Sequence, residues 1–243
     1  MAPDAPVVLL HAFPLNASMW APQISALAGR QLLAPDFPGF GGRPVGPPDL
    51  DEFARVALEE MDIARIPRAV VVGLSMGGYV ALRVHALAPD RVAGLVLADT
   101  RAGTDDNEGR AKRIEQAVRA RQEGTGWLQD ALLPALLGET TQRDRAQVVK
   151  RVREMLGEAD PEGVARALEA MGNRPDSVPR LAEIQVPVLA LVGEEDTLTP
   201  KEESERISDG VWNGRLTVIP KAGHLSNLEA PGPFNDALLE FLG

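Results

Sequence analysis

The stretch Ala69-Val70-Val71-Val72-Gly73-Leu74-Ser75-Met76-Gly77-Gly78 decides how this chain is read. A β-branched run of strand length enters it, a helical pattern from Gly77 to Ala88 leaves it, and G-x-S-x-G sits at the join. A strand that turns this abruptly into a helix lifts one side chain, here Ser75, above the end of a sheet. Glycine at 73 and 77 leaves room for neighbouring backbone where a β-carbon would clash. The helix that follows points its N-terminus at the serine, which favours developing negative charge. Ser75 is therefore the candidate nucleophile; the alternative is an idle serine in a glycine-rich turn.

Working outward, the same kind of apolar run recurs at Val7–Leu10, Leu32–Ala34, Leu95–Leu97 and Val188–Val192, with a weaker one at Leu216–Ile219. Runs without strict alternation suit strands buried on both faces. Helical stretches lie between them. Asp49 with Glu52 three residues on predicts a capped start to a helix that runs towards Ile66 and stops at Pro67. Thr199-Pro200 predicts another entry, with proline in the first turn. The alternation predicts an α/β fold with right-handed crossovers, a mostly parallel six-strand sheet and helices on both faces. Residues 103–177 break the rhythm with helical patterning and no strand-like run. The expectation is a core of residues 1–102 and 178–243, with 103–177 inserted as a helical cap over a site. Extra crossover helices with no role at a site are the alternative.

A serine needs a base, and the base an orienting acid. Of the three histidines, His85 falls within the helix after Ser75, and His11 ends the first strand. His224, in a loop after the last strand, is the candidate base. The expected chain order is Ser, Asp, His. Asp196, in Gly193-Glu194-Glu195-Asp196, follows the Val188–Val192 run directly, and Asp99, ending the strand before, is the second candidate. Glu194 and Glu195 are expected to be solvated. For an oxyanion hole, Pro14 has no N–H, which leaves the backbone N–H groups of Phe13 and Met76.

Composition narrows the field. The chain has 243 residues, 44% hydrophobic and 25% charged, enough for an ordinary core. It has no cysteine, which removes a disulfide scaffold, a thiolate metal site and a cysteine nucleophile together. A formal charge of −10 with no basic tract argues against nucleic acid as partner. The densest basic stretch, Arg110 to Arg121, reads as a solvated helix face. No apolar run is long enough to span a bilayer, and Met1-Ala2-Pro3-Asp4-Ala5-Pro6 lacks the basic region of a secretory leader. The expectation is a cytoplasmic protein that uses no metal and no cofactor.

Taken together, His11-Ala12-Phe13-Pro14, Asp36-Phe37-Pro38-Gly39-Phe40-Gly41, Gly73-Leu74-Ser75-Met76-Gly77, Gly193-Glu194-Glu195-Asp196 and Gly223-His224 give the chain a clear resemblance. It resembles compact α/β-hydrolases such as bacterial carboxylesterases, enol-lactone hydrolases and cofactor-free haloperoxidase-like esterases. The resemblance implies a Ser75-His224-Asp196 triad and a cap where the helical insert lies. It also implies that the first strand matches the family's third. Ala12 departs from the family's usual His-Gly. Haloalkane dehalogenases and epoxide hydrolases carry Asp where this chain has Ser75, so they are set aside. The expected activity is cleavage of small to medium, apolar or aryl carboxylic esters through a Ser75 acyl-enzyme. Phe13, Met76 and Trp127 are expected to line the substrate pocket. An enol-lactone-type hydrolase, carbon–carbon bond hydrolysis, a perhydrolase side reaction and a slow-turnover ligand receptor stay open.

Overall fold

A computed structural model describes residues 5–243; Met1–Asp4, within the opening segment read above as leaderless, lies outside them. Among the described residues six strands form one sheet: β1 Val7–Leu10, β2 Leu32–Leu33, β3 Ala69–Leu74, β4 Val92–Ala98, β5 Val188–Gly193 and β6 Gly214–Ile219. Their spatial order is β2-β1-β3-β4-β5-β6 and every neighbouring pair is parallel. All six expected runs are strands, most of them extended by a residue or more. The helices are α1 Ala21–Ala26, α2 Leu50–Ile63, α3 Met76–Leu87, α4 Asn107–Glu123, α5 Leu128–Leu136, α6 Glu139–Asp144, α7 Ala146–Gly157, α8 Pro161–Gly172, α9 Lys201–Gly210, α10 Ser226–Glu229 and α11 Pro231–Leu242.

The unbroken apolar runs are explained by a core on each side of the sheet. Val8, Leu10, Val71, Leu95, Leu97, Val188 and Ala190 pack on one face with α2, α3 and α9. Their alternates Val7, Leu9, Val70, Val72, Val96, Leu189 and Leu191 pack on the other with Trp20 and Leu27, which flank α1, and with α11, as the two-residue period of a strand requires. Trp20 and Phe234 meet there with ring centroids 6.2 Å apart.

Several boundaries differ from expectation. Asp49 does cap α2, but its carboxylate accepts from Asp51 N–H at 2.9 Å rather than reaching Glu52. The helix ends at Ile63, three residues before the predicted stop, and Arg65 takes a positive φ of 57° before Pro67. Pro200 is the N-cap of α9 rather than a residue of its first turn.

The chain enters the sheet at β1, steps outward to β2, then returns to β3 on the other side of β1. Ligands of open α/β sheets bind at such a reversal, beyond the carboxyl ends of the strands. The loops after β1, β3, β4, β5 and β6 all open at that edge. The insert, α4 to α8, lies between β4 and β5. Its α8 rests on the Asp36–Gly41 loop so closely that a β-carbon on Gly39 would stand 2.5 Å from Gly163 Cα. No helix of the described residues is long and apolar enough to cross a membrane.

Candidate active site

Ser75 occupies the sharp turn between β3 and α3, at φ 55° and ψ −115°. A non-glycine residue there is strained and is held by its surroundings. Its N–H donates to Ala98 O at 2.9 Å, and its carbonyl accepts from Thr100 Oγ1 at 2.8 Å and Gly78 N–H at 2.9 Å. A β-carbon on Gly73 would lie 2.1 Å from Gly77 O, and one on Gly77 2.1 Å from Leu10 O. Both glycines are therefore demanded by close backbone approach.

The structure brings Ser75, His224 and Asp196 into one line. Ser75 Oγ lies 2.8 Å from His224 Nε2, and His224 Nδ1 lies 2.9 Å from Asp196 Oδ2. Asp196 is buried and its carboxylate is crowded with donors. Oδ1 accepts from Leu198 N–H at 2.8 Å and Thr199 N–H at 3.0 Å, while Oδ2 also accepts from Thr199 Oγ1 at 2.6 Å. Burial alone would raise its pKa, but His224 and the Thr199 hydrogen bonds outweigh burial and hold it below the ordinary carboxylate value. The bond to His224 thus persists down to the ordinary aspartate range and is lost only as pH falls through the depressed native value. An ionised carboxylate can only accept, so Nδ1 carries the proton and Nε2 is left to accept from the Ser75 hydroxyl.

Asp99, the second candidate acid, is buried elsewhere in the hydrogen-bond pattern. Its Oδ1 accepts from Gly193 N–H at 2.8 Å and its Oδ2 meets Ser226 Oγ. Burial, with Asp196 nearby, pushes its pKa well up. His11 lies under the site as a buried neutral ring: Nδ1–H donates to Ala12 O and Nε2 accepts from Phe37 N–H, each at 3.0 Å. Burial lowers its pKa to about 4. His85 sits away from Ser75 in a surface groove with Arg180 and Glu183.

Two carboxylates at the site were not foreseen in these roles. Glu229 is buried and accepts from Gly223 N–H at 2.9 Å and Leu225 N–H at 3.1 Å, the two neighbours of His224, and from Gly138 N–H at 2.8 Å in the insert. Glu195, expected to be solvated, accepts from Thr140 N–H at 2.8 Å and from the Thr140 hydroxyl. The insert is thereby fastened to the loops that carry His224 and Asp196. Nothing in the sequence marks Glu229, because its three donors are backbone N–H groups, which any residue type supplies, and one of them, Gly138, lies in the insert. Glu229→Ala leaves three buried N–H groups without an acceptor, an expected cost of roughly 3 kcal/mol or more. Glu229→Gln, whose remaining oxygen keeps Gly223 and Leu225, is expected to cost less and retain more turnover. Denaturant unfolding and kcat of the two variants check this.

Phe13 lies in the loop after β1 and Met76 opens α3 next to Ser75, and neither backbone N–H donates a hydrogen bond to another described residue. Ser75 Oγ and His224 open onto a cavity of about 330 Å³, at the small end of the usual range for small-molecule sites. Phe13 lies on its wall, together with Tyr79 and Leu132 and Leu136 of α5 and Leu168 and Met171 of α8. Two expected lining residues are placed elsewhere. The Met76 side chain is fully buried in the core. Trp127 donates to Gly124 O at 2.9 Å and lies under the Arg119 guanidinium, 4.5 Å from its ring centroid. The basic stretch read as a solvated face also contributes, because Gly109, Lys112, Arg113 and Gln116 line the cavity. Their spacing is one face of a helix, a signal present in the sequence but invisible without knowing what that face meets. Among the described residues no group of three or more His, Asp or Glu is placed to hold a metal ion.

The chain belongs to the alpha/beta hydrolase family, whose model matches residues 7–237. It is 27% identical to 3-oxoadipate enol-lactonase 2 of Acinetobacter baylyi, over 97% of this chain and 88% of that one. It is 29% identical to pimeloyl-(acyl-carrier protein) methyl ester esterase of Pectobacterium atrosepticum, over 99% and 95%. Among solved structures it is similar to a thermophilic esterase from Thermogutta terrifontis with malate bound, at TM-score 0.95 and 38% identity over 98% and 89% of the two chains. Relatives named for ester and lactone cleavage support hydrolase activity for this chain.

Proposed function

We propose that the chain is a serine hydrolase that cleaves carboxylic esters of small to medium size through a Ser75 acyl-enzyme. The observation that carries this reading is the unbroken line from Ser75 Oγ to His224 Nε2 and from His224 Nδ1 to Asp196. Ser75 Oγ attacks the ester carbonyl while Nε2 takes its proton. The tetrahedral oxyanion accepts from Phe13 N–H and Met76 N–H, donors of the kind whose loss typically costs about 10²–10³ in rate. The imidazolium, stabilised by Asp196, returns the proton to the departing alkoxide. Water then attacks the acyl-enzyme, gives its proton to Nε2, and Ser75 is released with the acid. Residues 103–177 act as the cap, with Leu132, Leu136, Leu168 and Met171 closing the cavity over the serine.

A lactone fits the same steps, since its ring oxygen is the leaving group and stays tethered to the acyl chain. The likeness to an enol-lactonase favours keeping that reading beside the first. The test is turnover of short-chain aryl esters and enol and aryl lactones, with serine labelling by a reactive phosphonate. Repeated turnover abolished by labelling at Ser75 is expected. Labelling with one slow cycle and no further turnover would overturn the enzyme reading in favour of a receptor.

A further inference from the structure

The cavity over Ser75 is charged in the sense opposite to the chain as a whole. The protein carries a formal charge of −10, yet the charged side chains on the cavity wall are Arg101, Lys112 and Arg113 against Asp105. Asp105 is already shared: Arg113 pairs with it, and Arg174, buried behind, holds both its oxygens at 2.9 Å. Burial would raise its pKa, but those two guanidinium groups hold its carboxyl well below the ordinary range. Its negative charge is therefore more than matched before any substrate arrives.

Arg101 follows Asp99 and Thr100 at the end of β4, beside the turn that carries Ser75. One of its terminal nitrogens donates to Leu198 O, two residues after Asp196, while its Nε is buried without a partner. No carboxylate among the described residues pairs with it, the cavity's own Asp105 being held by Arg113 and Arg174. Lys112 of α4 also lines the cavity, its side chain largely exposed, with Glu108 2.8 Å away on the surface, and exposed pairs of this kind hold weakly. An apolar ester would leave Arg101 without a counter-charge at the cavity wall, while Lys112 stays exposed to water and paired with Glu108. A carboxylate placed between them exchanges its lost water for charge-assisted hydrogen bonds.

We propose that the substrate is an ester or lactone bearing a carboxylate, seated at Arg101 and Lys112 while its scissile carbonyl lies at Ser75. This rests on the hydrolase reading above and narrows it, replacing the apolar or aryl substrate expected from the sequence.

The test compares para-nitrophenyl hemiadipate with para-nitrophenyl adipamate, in which a neutral carboxamide of the same shape replaces the carboxylate. At low ionic strength kcat/KM is expected to favour the hemiadipate by about ten- to a hundredfold, through KM, and salt is expected to shrink the gap. Arg101→Gln is expected to reduce the ratio about tenfold. Lys112→Gln, on an exposed helix surface where folding is not at risk, reduces it less. A ratio at or below one in the parent, or an unchanged ratio in both variants, overturns the proposal.

Binding to Ser75→Ala, measured by calorimetry with monomethyl adipate and methyl adipamate, separates this proposal from the hydrolase reading. If the parent turns over neither aryl ester, the hydrolase reading falls. The subsite then stands if monomethyl adipate binds the more tightly and Arg101→Gln removes the difference. It falls if the two bind alike.

Discussion

Ser75→Ala is expected to lower kcat by about 10⁶-fold, with KM changed little, because the hydroxyl forms its bond to substrate only along the reaction path. The residual rate would come from the Phe13 and Met76 N–H groups acting on bound substrate. A second replacement makes the experiment more than a loss of function. Ser75 sits at φ 55°, a conformation that is costly for any residue with a β-carbon, so alanine inherits the strain and glycine does not. Ser75→Gly is therefore expected to be as inactive as Ser75→Ala but more stable, by about 1 kcal/mol after the greater entropy lost on ordering glycine. Thermal or denaturant unfolding of the two variants, beside burst and steady-state ester assays, checks both parts. Retention of more than a few per cent of turnover by Ser75→Ala would remove Ser75 from the nucleophile's place.

The sheet was legible because a parallel strand buried on both faces must be apolar at nearly every position. Val70, Val71 and Val72 could hardly be anything else, since alternate members face different cores. The turn at Ser75 was legible for a similar reason: backbone at van der Waals distance leaves room only for glycine at 73 and 77. What could not be read were contacts whose two halves lie far apart in the chain. Glu229 is an ordinary glutamate until Gly138, from the insert, joins its near neighbours Gly223 and Leu225 in donating to it. Lys112 and Arg113 read as solvent-facing because charge on a helix is usually solvated, and only the placing of α4 against the Ser75 cavity changes their meaning. Trp127 failed as a lining residue because its ring packs against its own neighbourhood in the insert, where Arg119 covers it.

Asp196→Asn is expected to lower kcat by about 10⁴-fold at neutral pH while the fold stays intact, and the geometry dictates why. An asparagine at 196 must decide which carboxylate oxygen its amide nitrogen replaces. Oδ1 faces two backbone donors, Leu198 N–H and Thr199 N–H, neither of which can turn away. The nitrogen must therefore take the place of Oδ2, beside Thr199 Oγ1 and His224 Nδ1. The Thr199 hydroxyl can rotate and accept, but the imidazole can satisfy an amide donor only by presenting a bare Nδ1. Its proton then sits on Nε2, where it points at Ser75 Oγ and can no longer take that oxygen's proton. Asp99→Asn makes the opposite case. Burial favours the neutral form of its carboxyl, so a neutral amide suits the site: its oxygen keeps Gly193 N–H, and the Ser226 hydroxyl, which donates to Oδ2 in the native structure, turns to accept from the amide nitrogen. That variant is expected to stay within about tenfold of the parent, the size of a loss confined to neutral hydrogen bonds. Single-turnover ester kinetics and the histidine ring ¹⁵N shifts of both variants decide between the two carboxylates. A silent Asp196→Asn with an inactive Asp99→Asn would transfer the orienting role to Asp99.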